Sequence, residues 1–406
     1  MKIAVFHNLP SGGAKRALYN FVKYLSKSGH HVVVLVPDTA NESFLPLKEL
    51  AGKVEIFPVR KTLLGMAKST LFYVPLLRCS LADIDKTQRE IAVAINRVDY
   101  DVVFSEQDQY TMSPFLLKYI KKPTVYYCPQ PQRTDEAILQ RVSLKIQGAD
   151  LPTKLKRVLS NYLSNRMLKI DKQNARFATY ILTNSYFSRE SILRSYGLNS
   201  FVCYLGVDTE VFTPVNVSKG DYVLTVGACY PAKGHDFIVQ SLARVRENRR
   251  PRLVIVSNSG DAVWQNYLEQ LALRNRVQLE VKTLIADREI VELYNGARLF
   301  VYAPYLEPFG LAPLEAMACG TPVVAVKEGG VRESVLHNQT GILTERDEEK
   351  FAEAIVEIYC NEQAAVQMGR KAIEVVRSFW TVEHAGRRLI WHLERARSLY
   401  PRITER

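Results

Sequence analysis

The chain has 406 residues, 47% apolar or aromatic and 24% charged, which is more than one hydrophobic core usually organises and predicts two domains. A formal charge of +12 and a pI near 9.3 point to an anionic partner: a nucleotide, a phospholipid surface or nucleic acid. The absence of any run of 18 apolar residues excludes a spanning helix, and six scattered cysteines without a C-x-x-C pair argue against a zinc site or a disulfide framework and for a reducing compartment.

From the N-terminus, short β-branched runs alternate with amphipathic stretches. "KIAVFH" is followed by the helical "AKRALYNFVKYLSKSG", then by "HHVVVLVP", "VEIFPV", "YDVVFS" and "TVYYC". Nearly continuous apolar strands separated by helical patterns predict βαβ units around a parallel sheet covered on both faces. His7 falls at the end of the first strand, where ligands of such sheets bind, whereas His30 and His31 read as loop residues. "DID" at Asp83–Asp85 has the form of a metal-holding D-x-D. It lies, however, in an amphipathic pattern with Leu81, Ile84, Ile91 and Ile95 on one side, which favours a plain helix.

The run Arg60–Arg78 reads equally well as a plain helix and loop or as a contact for substrate or lipid. A long insert, Thr134–Arg176, interrupts the alternation. Between Lys145 and Arg176 it carries eight lysines and arginines against two aspartates, with apolar residues at largely helical spacing. Such a helix can lie on an anionic membrane, or pack on a core with its basic face in water; spacing does not choose. The series pauses at Pro214, Asn216, Ser218 and Gly220 and restarts with "YVLTVG", "RLVIVS", "VQLEVKT", "ARLFVYA" and "TPVVAV", which predicts a second sheet of the same kind. With two such sheets in tandem, the place to look for ligand is a cleft between facing strand ends.

In the second series "EPFGLAPLEAMACGTPVV" carries Glu307 and Glu315 eight residues apart. A strand ends near Pro304, a loop runs to Gly310, and a helix begins with Pro313 in its first turn, ended by Gly320 and Pro322. Amides near Phe309, Gly310, Leu311 and Ala312 then point outward with the positive end of the helix dipole, a geometry that receives phosphate. The two carboxylates suit vicinal hydroxyls of a sugar or ribose. The plainer alternative makes Glu307 a helix cap and Glu315 a solvated helix residue.

Glu307 and Glu315 within "EPFGLAPLEAMACGTPVVAVKEGGVRE" resemble the E-x7-E signature of retaining glycosyltransferase family 4, and the resemblance runs along nearly the whole chain. "SGGAKRALY" is similar to the family's N-terminal glycine-rich loop, "TNSYFSRESI" and "GVDTEVFTP" to its entry into the linker, and "VGACYPAKGHDF" to the basic loop opening its second domain. The resemblance implies an α/β fold of the GT-B class, two Rossmann-like domains with parallel sheets facing an inter-domain cleft. Residues 1–208 would form the acceptor domain, with a C-terminal helix at about 386–406 packing back on it, and 209–385 the nucleotide-sugar domain.

It further implies that Glu307 binds hydroxyls of the donor sugar, that amides of Phe309, Gly310 and Leu311, with Ala312 beside them, contact sugar and diphosphate, and that Glu315 holds the ribose. Lys233 would grip the diphosphate, Gly12 and Gly13 would approach the phosphates from the first domain, and backbone near Thr283 and Leu284 would select the base. The co-substrate would be a UDP- or GDP-type sugar, with no cofactor and no metal. The acceptor would be a saccharide or lipid-linked, no nucleic acid would be bound, and the enzyme would be cytoplasmic, with a peripheral contact on the inner face of the cell membrane. Two positions depart from the family pattern: Ala228 stands where an arginine is usual, and Pro129, followed by Gln130, where a histidine is common. Lys15, Arg16 and Arg133 are the candidates to restore the missing charge. The alternative is a catalytically impaired nucleotide-sugar-binding protein.

Overall fold

The computed structural model describes residues 1–60, 80–132 and 165–404, with side chains to residue 400. The run 61–79 and residues 133–164, which hold Arg133 and most of the basic insert, lie outside the described residues. The chain divides into two compact units: residues 1–60, 80–132, 165–204 and 385–404 form the first and residues 205–384 the second.

The first unit is built on strands β1 (Lys2–Asn8), β2 (His31–Pro37), β3 (Lys53–Phe57), β4 (Val102–Asp108), β5 (Thr124–Tyr127), β6 (Tyr180–Thr183) and β7 (Phe201–Val202). They pair in the order β3-β2-β1-β4-β5-β6-β7, all parallel, with Ile3 opposite Val32 on one side and Val102 on the other. The β-branched runs "VVVLV" and "VVF" are buried on both faces, as a parallel sheet requires. On one face Phe21 of the helix Gly13–Lys27 meets Phe104 and Tyr127 edge-on. The helix Leu81–Arg97 covers the other face with Ile91, Ala92 and Ile95. His31 is the first residue of β2 rather than a loop residue, because its backbone pairs with Lys2.

The aspartates of "DID" have structural partners. Asp83 completes a capping box with Ser80, and Asp85 accepts from Lys118 and the Tyr119 hydroxyl. Asp171, at the described end of the insert, accepts from the amides of Ser113 and Gln132 and from the Tyr196 hydroxyl. One carboxylate therefore ties both ends of the insert to the first unit, and with four donors, the Ser113 hydroxyl among them, it is satisfied although buried.

The second unit repeats the plan with β8 (Tyr222–Val226), β9 (Arg252–Ser257), β10 (Leu279–Thr283), β11 (Leu299–Tyr302), β12 (Val323–Val326) and β13 (Gly341–Thr344), in the order β10-β9-β8-β11-β12-β13, again all parallel. Trp264, Phe237 and Phe351 anchor its core against Ile255, Val301 and Val324. In each sheet the strand order reverses at one place, between β1 and β4 and between β8 and β11. The loops leaving the carboxyl ends there part to opposite faces and open a crevice.

Candidate functional site

In the second unit the crevice is bordered by the loop after β8 and the loop after β11. Beyond β8, Cys229 is fixed by its amide donating to Ser257 Oγ and the Ser259 carbonyl, at 2.9 and 2.7 Å. Pro231–Lys233 then makes a 3-10 turn, and Gly234, at φ 66°, lets the helix His235–Arg244 start at once. A Cβ at Gly234 would stand 2.0 Å from the Ala303 carbonyl oxygen, so the lysine loop rests directly on the end of β11. The Lys233 stem runs past Gly227, within 4 Å of where a Cβ there would be. His235, buried beside it, is pushed down to about 3 by burial and by Lys233, so it is neutral, and its Nδ1 has no partner among the described residues.

β11 ends at Tyr302, two residues earlier than the sequence suggests, because the chain turns away to meet the lysine loop: the Tyr305 amide donates to the Ala232 carbonyl at 2.9 Å. Leu306 adopts a left-handed φ of 48°, and the Glu307 carbonyl accepts from the Gly330 amide at 2.8 Å. Gly329 and Gly330 are required here, since a Cβ on either would lie 2.2 Å from the carbonyl oxygen of Glu307 or Pro308. Gly310, at φ 96°, heads the helix Leu311–Ala318, with Pro313 as its third residue, where no amide is needed. The helix closes through Gly320, at φ 79°, with the Thr321 amide donating back to Ala316.

Glu307 does not cap this helix, which has no side-chain cap. Its Oε2 instead accepts from Lys233 Nζ at 2.8 Å, each side chain about a quarter exposed. Glu315 is not a solvated helix residue either. It is 7% exposed and accepts from the Tyr294 hydroxyl at 2.8 Å. Phe309 is buried, in ring contact with Trp380. Tyr302 lies beneath Gly310, its phenol pushed well above its ordinary value by burial and then by the charges of Glu307 and Glu315. Thr283 ends β10, and Leu284, 80% exposed at φ 54°, donates its amide to the Ser257 carbonyl. Ser257 thus joins the Leu284 turn to the lysine loop.

In the first unit Gly12 (φ 135°) is the N-cap of the helix Gly13–Lys27, and a Cβ at Gly12 or Gly13 would meet nothing within 4 Å. Lys15 does not supply the missing charge. It is fully buried and ion-paired with Glu42, which also accepts from His7 Nε2 at 2.9 Å and from the Leu47 amide. His7 Nδ1 accepts from the Leu9 amide, so the neutral ring carries its proton on Nε2. Burial, then Lys15, hold this histidine down at about 4, and the His7 and Lys15 contacts hold Glu42 at about 2 against its own burial. His7 is thus a buried structural ligand of Glu42. Arg16 is partly buried, its guanidinium over the Phe44 ring. Gln130 holds the Gln107 amide nitrogen through its carbonyl at 2.6 Å, beside Pro129.

Sequence reasoning passed over Tyr302, Tyr294, Gly329, Gly330 and Arg346. Only the "GG" after β12 carried a visible signal.

Two family models match in succession: "Glycosyltransferase Family 4" over residues 11–211 and "Glycosyl transferases group 1" over residues 208–375. The mouse alpha-1,3/1,6-mannosyltransferase ALG2 is 26% identical over 63% of this chain, and the D-inositol 3-phosphate glycosyltransferase of Kribbella flavida is 30% identical over 52%. The chain spans 64% and 55% of those relatives' own lengths. Among solved structures, Anabaena Alr3699/HepE in complex with UDP and glucose superposes with a TM-score of 0.71 at 20% identity, covering 97% of this chain and 99% of that one, a likeness of fold.

Proposed function

Because the chain belongs to glycosyltransferase family 4 and has the GT-B fold, we propose that it transfers a sugar from a nucleotide-diphosphate sugar to an acceptor hydroxyl, with retention at the anomeric carbon and without a metal. The observation that carries this reading is the Lys233–Glu307 contact at the carboxyl edge of β8 and β11, beside the amino end of the helix Leu311–Ala318, with Glu315 one turn further in.

Each group has a chemical task in this reading. The ammonium of Lys233 leaves Glu307 for the diphosphate and offsets the charge that grows on it as the glycosidic bond breaks. Amides of Phe309, Gly310, Leu311 and Ala312 receive sugar and phosphate oxygens at the positive end of the helix. Glu307, released, accepts from sugar hydroxyls, and Glu315 accepts from ribose hydroxyls while Tyr294 holds its other oxygen. The carboxylates bind rather than attack, unlike the acid and nucleophile of a glycosidase. Main chain at Thr283 and Leu284 meets the base. Gly12 and Gly13 offer unencumbered amides at a helix start, suited to phosphate.

UDP and glucose in the Anabaena relative's complex support a nucleotide-sugar co-substrate of that chemical class. A saccharide or lipid-linked acceptor, in glycolipid, lipid-linked saccharide or polysaccharide synthesis, and a cytoplasmic place on the inner face of the cell membrane complete the reading. They draw on the +12 charge and the basic insert. Incubation with UDP-, GDP- and ADP-sugars, following nucleoside diphosphate release and the anomeric configuration of the product by NMR, tests the proposal. Binding without turnover against every acceptor would instead favour a nucleotide-sugar-binding protein, the reading that Ala228 and the neutralised Lys15 support.

A further inference from the structure

The stretch from Ala303 to Gly310 has no ladder to hold it, yet it carries Glu307 and delivers the chain to the helix amides. Its start is gripped by a residue from beyond β13. Arg346 Nη1 donates to the Ala303 carbonyl at 2.9 Å and Nη2 to the Pro304 carbonyl at 2.8 Å. Nε and Nη2 also reach the two oxygens of Glu328, each at 2.8 Å. The guanidinium plane lies 3.8 Å from the centre of the Tyr305 ring and 5.2 Å from that of Phe237.

We propose that Arg346 is a positioning residue of the donor site, setting the loop of Glu307 against the loop of Lys233; this rests on the nucleotide-sugar reading above. Three connections make the case. Tyr305, clamped by its ring to Arg346, gives its amide to Ala232, the residue before Lys233. Gly234, the residue after Lys233, packs on the Ala303 carbonyl that Arg346 holds, and a Cβ there would stand 3.5 Å from Nη1. Glu328, the other end of the fork, precedes the two glycines that press on Glu307 and Pro308. One planar cation thus touches all three segments whose spacing fixes the 2.8 Å between Lys233 and Glu307.

Arg346 is no substitute for a phosphate clamp. Glu328 offsets its charge, and the donating nitrogens are spent on carbonyls and carboxylate. A lysine could not do the same work, since it lacks the fork that bridges two carbonyls and a carboxylate and the flat face that stacks on Tyr305.

The test compares wild type with Arg346→Met, which keeps the stem, Arg346→Lys, which keeps the charge, and Glu328→Gln. Displacing reacting groups by about 1 Å costs on the order of 100-fold in rate. In both arginine variants kcat for transfer should therefore fall by about 30- to 100-fold. Nucleoside diphosphate affinity by calorimetry should fall by clearly less than kcat, because Glu315 and the body of the helix Leu311–Ala318 keep their places. Arg346→Lys should fail to rescue, and Glu328→Gln combined with Arg346→Met should add little to Arg346→Met alone. A wild-type kcat in folded Arg346→Met, or a loss of affinity as large as the loss of kcat, overturns the positioning role alone. Wild-type protein that neither binds nor turns over any nucleotide sugar overturns the donor site, and the positioning role with it.

Discussion

Replacing Lys233 by methionine separates what its contact with Glu307 does for the fold from what it does for transfer. The variant keeps the aliphatic stem beside Gly227 and removes only the ammonium. In the folded protein the pair is about a quarter exposed at each end and 2.8 Å long. A partly solvated pair of this kind contributes about 0.2–1 kcal/mol, since Coulomb attraction is screened and two long side chains must be held still. For a domain of this size that moves Tm by roughly 0.4–4 °C. In the proposed transfer the same ammonium would face a leaving diphosphate. Removing one preorganised electrostatic group from such a centre costs about 100- to 1,000-fold in kcat, or about 2.7–4 kcal/mol. Lys233→Met should therefore melt almost with wild type while losing at least two orders of magnitude in turnover. Differential scanning calorimetry and a coupled assay of nucleoside diphosphate release at 25 °C give the two numbers on one preparation. A Tm drop large enough to account for the lost activity, or a kcat within threefold of wild type, would refute the reasoning.

Glu315→Ala should weaken nucleotide binding by about 10- to 100-fold in calorimetry, the value of hydrogen bonds to a carboxylate, while Tyr294→Phe, which removes one donor to Oε2, should cost less than tenfold. Gly329→Ala forces a Cβ to 2.2 Å from the Glu307 carbonyl at a φ of 64°; a stability loss above about 1 kcal/mol with impaired transfer is expected in urea unfolding and turnover assays. Glu106 is buried and its carboxyl pushed up to about 8 by that burial, so the fold keeps a proton that the unfolded chain releases near 4.5. Its contribution is thus fully present below pH 4.5 and lost as pH rises through about 8. Glu106→Gln, which cannot ionise, should gain stability over wild type by up to about 1.4 kcal/mol per pH unit across that window, read by urea unfolding at pH 5.5, 7 and 8.5.

The legible parts of this protein were those written in local punctuation. Pro313, Gly320 and Pro322 bracket the helix that carries Glu315, so strand, loop and helix could be read in order from one stretch of chain. Long β-branched runs such as "VVVLV" likewise announce strands buried on both faces. β7 and β13 were not legible, the first because two residues show no period, the second because it opens with Gly341. That glycine is there because a Cβ would stand 2.0 Å from the Val323 carbonyl. The charge partners were hidden for a different reason. Glu42 reaches His7 across 35 positions and Arg346 reaches Ala303 across 43, distances over which no spacing rule operates. Lys15 shows the cost: a lysine three residues into a helix looks available to solvent until the fold supplies its carboxylate.

Asp171 gives the insert an economical attachment. Since Gln132 and the helical stretch around Asp171 meet at one carboxylate, the polypeptide leaves the sheet and rejoins it at a single doorway. A detour tethered in this way can be lengthened or shortened at little thermodynamic penalty, about 0.6 kcal/mol for each doubling. Descendants of this gene could therefore trade one excursion for another while the strands remain as they were.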